Sequence, residues 1–146
     1  MSLQMTKAER EAFLADLHVG VLSIPEPGRG PLTVPIWYAY EPGGELRVVT
    51  GRDSRKGRLL AAAPRVSLCA QTETAPYRYV SVEGPVVYVG PVERARDVRP
   101  LAHRYLGPEL GDQYVAATAA GAGDEMLVRI RPERWLTVDY RKQYGG

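Results

Sequence analysis

The sequence predicts a mainly β, α+β domain, an antiparallel β-barrel with peripheral helices. Three observations carry that expectation. Short apolar runs with a period of two recur along the chain, clusters of Pro and Gly separate them, and no regular strand–helix alternation points to a parallel sheet. With 146 residues and 45% hydrophobic content, the chain can fill one core but not two. The whole chain, 1–146, is therefore expected to form one domain with one site. Residues 1–5 are expected to be disordered, or a remnant before a second start at Met5.

Thr6 is a natural helix cap, with Glu9 three residues on and Phe13, Leu14 and Leu17 on one apolar side. Val19, Val21, Leu22 and Ile24 read as a strand, and Pro25, Pro27, Gly28 and Gly30 interrupt it before Thr33–Tyr40 resumes the β pattern. Pro42, Gly43 and Gly44 make a turn into a paired strand, where Leu46, Val48 and Thr50 alternate with Arg47 and Val49. Gly51–Ala63 is rich in helix formers and ends at Pro64. Val66–Gln71 is again a strand. Tyr77–Val89 is the longest candidate, and Gly84 with Pro85 predicts a bulge or bend at a barrel corner. Val92–Leu106 and Leu110–Ala120 read as helices parted by Gly107 and Pro108, and two closing strands follow at Met126–Ile130 and Trp135–Tyr140.

Composition removes several classes of function. The formal charge of +2 comes from 19 basic and 17 acidic residues with no dense basic block, so nucleic acid is not an expected partner. The single cysteine, Cys69, sits in an apolar run and suits a reducing cytoplasm, where the protein is expected to reside. No stretch approaches the length of a membrane helix. His18 and His103 are not at metal-ligand spacing to each other or to Cys69, so no metal is expected. No nucleophile elbow, Walker motif or dinucleotide glycine motif occurs, and hydrolysis is disfavoured.

Three segments carry candidate chemistry. In Thr50–Arg58 a strand runs into a helix whose cap is Asp53 or Ser54 and whose first turn holds Arg55 and Lys56. Cations there oppose the helix dipole unless an anion joins them, so free amides, a hydroxyl from Ser54 or Thr50 and the two cations suggest a phosphate or carboxylate site. The same residues also read as a solvated basic helix. In Thr33–Tyr38, Pro35 belongs at a sheet edge or bulge, and Trp37 either walls a flat aromatic ring or serves as a core or dimer aromatic. Tyr77, Arg78 and Tyr79, with Gln71 before them, either cross a dimer interface to a partner's cofactor or form plain cross-strand pairs. An anion-plus-aromatic site without an acid–base cluster is expected where a cofactor supplies the chemistry.

At these residues the chain resembles the pyridoxamine 5'-phosphate oxidase-like family of FMN-binding split β-barrels, and more closely its actinobacterial branch that uses the deazaflavin coenzyme F420. The resemblance rests on the opening helix leading into Val19–Ile24, on Pro35-Ile36-Trp37-Tyr38, on Thr50 through Ser54-Arg55-Lys56, and on Tyr77 through Pro85. It implies an antiparallel split β-barrel working as a homodimer. It also implies Val34, Pro35, Ile36 and Trp37 at the ring system, Thr50, Ser54, Arg55 and Lys56 at phosphate, and Gln71, Tyr77 and Arg78 reaching over from the partner. The richness in Arg, Ala, Gly and Pro suits a high-GC actinobacterium. The basic substrate-phosphate motif of true pyridoxamine phosphate oxidases has no counterpart, since Arg141 and Lys142 sit in a short tail ending at Gly145 and Gly146.

The expected function is then an F420-dependent oxidoreductase that passes hydride from the reduced deazaflavin to an unsaturated small molecule such as an enone, a quinoid or a tetrapyrrole-like compound. Tyr79 is a candidate proton donor, with solvent as the other source. The alternatives are an FMN-dependent reductase or oxidase of the same fold, and a non-catalytic protein that binds flavin or haem.

Overall fold

The computed structural model of the chain describes residues 2–144. Helix α1 (Lys7–Ala15) starts as the sequence predicts, because the Thr6 hydroxyl accepts from the Glu9 amide at 3.1 Å and the Glu9 carboxylate accepts from the Thr6 amide at 2.7 Å. Asp16 turns to extended backbone and ends it. Leu17, expected on the apolar side with Phe13 and Leu14, therefore lies beyond the helix and is 60% exposed.

Among the described residues seven strands follow: β1 (Gly20–Ile24), β2 (Leu32–Ile36), β3 (Leu46–Gly51), β4 (Arg65–Gln71), β5 (Arg78–Pro91), β6 (Glu125–Ile130) and β7 (Arg134–Asp139). They pair antiparallel in the order β2-β1-β4-β5-β6-β3, with β7 also on β5. A bridge between Ala39 and Arg47 ties the segment after β2 to β3, so the sheet curls back on itself into an antiparallel α+β split barrel. Leu22, Tyr38, Val48, Leu68, Val82 and Ile130 point inward and are fully buried or nearly so. The expected strand Thr33–Tyr40 stops at Ile36, yet its alternation persists to Tyr40, with Ile36, Tyr38 and Tyr40 buried and Trp37 half-buried on the other side.

Strand β5 serves both halves of the barrel. Its first part runs between β4 and β7, and from Val86 to Pro91 it pairs with β6, with an irregular register between Val86 and Tyr88. This irregularity falls just past Gly84 and Pro85, where the sequence predicts a bulge or bend; at Gly84 itself the pairing with β4 is regular and the backbone passes close to the β6–β7 connection. A Cβ on Gly84 would lie 1.6 Å from the Arg131 carbonyl oxygen, so only glycine fits.

Helix α2 (Arg55–Ala62) sits between β3 and β4. The expected helices Val92–Leu106 and Leu110–Ala120 appear with shifted bounds as a short α3 (Arg94–Asp97) and α4 (Arg99–Ala117), and α4 breaks at Gly107, whose φ is 82°. Pro108 has no amide hydrogen to continue the ladder, and glycine alone takes that left-handed angle without strain. A 3₁₀ turn over Ala119–Asp124 leads into β6, and another over Tyr140–Tyr144 follows β7.

Residues 2–5 depart from the expectation of disorder. The Leu3 carbonyl accepts from the Asp139 amide at 2.8 Å, the Met5 amide donates to the Thr137 hydroxyl at 3.0 Å, and the Met5 side chain joins the core. The free edge of β7 needs partners for its polar backbone groups, and this segment supplies one. Met1, Gly145 and Gly146 lie outside the described residues.

Gly84→Ala is expected to destabilise the protein by about 3 kcal/mol or more, the upper end of the cost of overpacking, because the obstacle is backbone and not a flexible side chain. Urea denaturation of the purified variant measures it.

Candidate functional site

The strand-to-helix junction of β3 and α2 is built tightly. The Ser54 hydroxyl accepts from the Gly57 amide at 3.0 Å and donates to the Gly51 carbonyl at 2.8 Å, which uses its only hydrogen. A Cβ on Gly57 would stand 2.0 Å from the Gly51 carbonyl oxygen, so glycine is what allows α2 to press against the end of β3. The two cations of the first turn then part. Arg55 turns away to Glu26, with Nη2 2.5 Å from Oε2, and this guanidinium holds the Glu26 carboxyl below the usual carboxylate range. Lys56 instead lines a cavity of about 440 Å³ and has no carboxylate in ion-pair range among the described residues.

One end of that cavity holds Lys56, Thr50, Gly51 and Glu125. Pro35, Ile36, Trp37 and Val49 form one wall, with Val19 at its lip, and Val98, Leu101 and Tyr114 come from the helices. The volume falls in the range of about 300–1,000 Å³ typical of ligand pockets. The Glu125 carboxylate is already compensated: Arg94 Nε lies 3.1 Å from its Oε1, in an ion pair whose angle is too poor for a hydrogen bond. The Arg94 fork also holds the Val115 carbonyl at 3.1 Å and the Thr118 hydroxyl at 2.6 Å, tying the end of α4 to β6. Lys56 remains as the uncompensated charge among the lining residues.

Trp37 is held from the helical side. Its indole lies parallel to the Tyr105 ring, with centroids 5.1 Å apart and 5° between planes, and meets Tyr114 at 5.2 Å and 52°. The Tyr105 hydroxyl donates to the His18 carbonyl at 2.6 Å and accepts from the Tyr38 amide at 3.1 Å. One tyrosine of α4 therefore fixes both the plane of Trp37 and the backbone on either side of β1 and β2.

Among the residues singled out in the sequence, the cavity brings together Pro35, Ile36, Trp37, Thr50 and Lys56. Val34 packs against the core, Ser54 caps α2, and Arg55 is engaged by Glu26. Gln71, Tyr77, Arg78 and Tyr79 do not line this cavity within the chain. Gln71 and Tyr79 face each other across β4 and β5, Tyr77 is 52% exposed, and the Arg78 guanidinium sits over the Phe13 ring at 5.0 Å. Sequence reasoning missed Val19, Val49, Val98, Leu101, Tyr114 and Glu125. Val49 and Val19 had a signal, being outward positions of strands that were recognised, whereas the helical residues reach the site only through the way α4 docks.

The family described as Pyridoxamine 5'-phosphate oxidase matches residues 6–139. The chain belongs to that family. A conserved hypothetical protein from Mycobacterium tuberculosis is 28% identical, with a TM-score of 0.79 over 99% of this chain and 91% of that one. A protein described as an F420 reductase is 24% identical, with a TM-score of 0.69 over 86% and 94%. A FAD-binding protein from Mesorhizobium loti is 20% identical, with a TM-score of 0.64 over 92% and 94%. The last two likenesses are of fold. No curated protein matches the sequence. As a member of the pyridoxamine phosphate oxidase family, the chain spends its C-terminal cations on structure. Arg141 is bidentate to the buried Asp139, and Lys142 donates to the Gln4 carbonyl and the Glu9 carboxylate.

No group of three or more His, Cys, Asp or Glu residues that could hold a metal occurs among the described residues. No helix among them is long and apolar enough to cross a membrane.

His18, next to Val19 of the cavity, is expected to make the stability of this chain depend on pH. Its Nε2 is 2.9 Å from the Phe13 carbonyl and its ring stacks on Phe13, and burial holds its pKa below the ordinary 6.5. The unfolded chain then binds the proton first as pH falls, so the stability His18 contributes is present above about pH 6.5 and lost as pH falls through the lower folded-state value. Urea midpoints between pH 5 and 8 are expected to decline on the acid side, and His18→Gln is expected to flatten that decline.

Proposed function

We propose that the protein is an F420-dependent oxidoreductase that transfers hydride to an unsaturated small molecule. The observation that carries this reading is the single uncompensated cation, Lys56, standing at one end of a pocket whose long wall is Pro35, Ile36 and Trp37. Such a pocket fits a phosphate-bearing ring system: the charge meets Lys56 and the Gly51–Thr50 end of β3, and the flat rings lie along the apolar wall. The ring would supply the hydride, and the protein's part is to bind, orient and exclude water.

Ser54 donates its hydroxyl proton to the Gly51 carbonyl and Arg55 is paired with Glu26, which leaves Lys56 as the lining cation for the phosphate group of either cofactor. The choice of the deazaflavin is supported by the likeness to the protein described as an F420 reductase. Lys56→Gln is expected to weaken F420 binding by roughly 10- to 150-fold, the loss of a charge-assisted contact of about 1.5–3 kcal/mol. Fluorescence titration of the variant and the natural chain with F420 and with FMN reads both the affinity and the preference. Tighter binding of FMN than of F420 by the natural chain would move the reading to a flavin enzyme.

The working unit in this reading is a homodimer formed through the outer face of β2, β1, β4, β5 and β7. Across that face the register lines up Pro35, Val21, Cys69, Ser81 and Leu136 in one row, and Gln71, Tyr79 and Val138 share the next. Small side chains in the middle leave the face flat, and Leu136 is 62% exposed. A second copy seated there covers the apolar row and carries its Gln71 and Tyr79 toward the Pro35 lip of the first copy's cavity, with Tyr77 and Arg78 alongside. Leu136→Arg, a change at an exposed position, is expected to shift the protein from dimer to monomer in sedimentation equilibrium. A natural chain that sediments as a monomer would overturn the arrangement.

A further inference from the structure

Two further cavities lie beside the one lined by Trp37. Val49 and Leu101, which line it, also line a second cavity of about 220 Å³, and Arg47, Arg96, Asp97 and Leu127 are shared between that one and a third of about 490 Å³. The register gives this groove a direction. Ala39 pairs with Arg47, so moving from Thr50 to Val49 to Arg47 along β3 passes from the Lys56 end, by the Trp37 wall, to the arginines. Arg47 lies three residues from Thr50, roughly 10 Å in an extended strand. The arginine groove is thus at the end of the pocket opposite Lys56.

Its cations are not equivalent. Arg47 is closed by Glu41, which takes both ends of its fork at 2.7 and 2.8 Å, and Arg96 is closed by Asp97 at 2.8 Å through two donors. Arg129 is not closed. Its guanidinium rests on the Tyr88 ring at 4.3 Å, its ion-pair partner Glu45 stays 3.6 Å from Nε, and that Nε is buried with no hydrogen-bond partner among the described residues. The side chain is 42% exposed, so the rest of the fork faces the groove. A stacked guanidinium with unfilled donors is built for a planar anion, and the exposed Arg47–Glu41 pair beside it is cheap to open. The floor next to these charges is apolar, from Leu127, Val49 and Leu101.

We propose that this groove is the hydride-acceptor site and that it selects an organic carboxylate with a flat unsaturated body. The carboxylate meets Arg129, with Arg47 as second cation, and the body lies over Leu127, Leu101 and Val49 with its far end toward Trp37. The placement as an acceptor site rests on the reading that puts the cofactor phosphate at Lys56, whereas recognition of the anion stands on the groove alone.

The test separates the two. Benzoate and its neutral counterpart benzamide are titrated into the isotope-labelled full chain without cofactor, and the methyl signals of Val49, Leu101 and Leu127 and the arginine Nε–H signals are followed. Benzoate is expected to bind saturably at these residues and at least tenfold more tightly than benzamide. Arg129→Gln is expected to remove that advantage, Arg129→Lys to keep part of it by retaining the charge, and Lys56→Gln to leave benzoate affinity within twofold. Equal binding of the two probes, or an Arg129→Gln variant that still prefers benzoate, overturns the anion site. Loss of benzoate binding in Lys56→Gln places the anion at the cofactor end and overturns it as well, while F420 titration of the natural chain judges the cofactor reading independently.

Discussion

The close approach of the Gly84 backbone to the Arg131 carbonyl is the constraint on which the rest of the barrel depends. Strand β5 can serve both halves of the sheet only if it changes neighbours without losing its hydrogen bonds. The Arg131 amide donates to the Pro85 carbonyl and the Glu133 amide to the Glu83 carbonyl on either side of the contact. Beyond that contact β5 pairs with β6 and β6 with β3, and β3 meets the segment after β2 at the Ala39–Arg47 bridge. The cavity is the space between that returning β3 and the Pro35–Trp37 segment.

Closure of the pocket on its third side comes from α4, and polar groups rather than apolar area set where it docks. Carbonyls at the end of α1 need partners beyond the helix, and Phe13 takes the Asp16 cap amide at 3.2 Å as one of its own. Phe13 is met by His18, Leu14 by the Tyr38 hydroxyl, and Ala15 and Asp16 by the Arg104 fork. Arg104 is on α4, one residue before Tyr105, so the device that satisfies one helix terminus also delivers the ring that stacks on Trp37. Fold stability and site geometry share these two residues.

Charge in the site follows from the same economy of partners. Two of the cations near the α2 terminus have an internal use: Arg55 holds Glu26, and Arg58 donates to the Asp53 carbonyl. Arg94 neutralises Glu125 across the pocket. What survives is a weakly charged, mostly apolar cavity in which Lys56 is the cation without a carboxylate partner among the described residues.

Much of the fold was legible in the sequence because it rests on local rules. The period-two runs from Leu46, Val66 and Met126 became β3, β4 and β6, Thr6 with Glu9 made its capping box, and Pro64 and Gly107 ended helical segments where backbone chemistry requires. Lys56, Thr50 and the Pro35–Trp37 wall were legible for the same reason, since a cation in the first turn of a helix and a proline in a strand are each locally unfavourable and call for an explanation. Local rules also misplaced Leu17 and residues 2–5, whose positions depend on where α1 stops and on the unpaired edge of β7. Which of two adjacent cations faces the cavity, that Arg94 cancels Glu125, that Tyr114 and Leu101 complete the wall, and that Tyr105 backs Trp37 depend on contacts between residues far apart in the chain. The sequence by itself determined the strands, the turns and the residues out of place in them; tertiary structure alone decided which charges were already spent, because compensation is a property of distance in space and not of order along the chain.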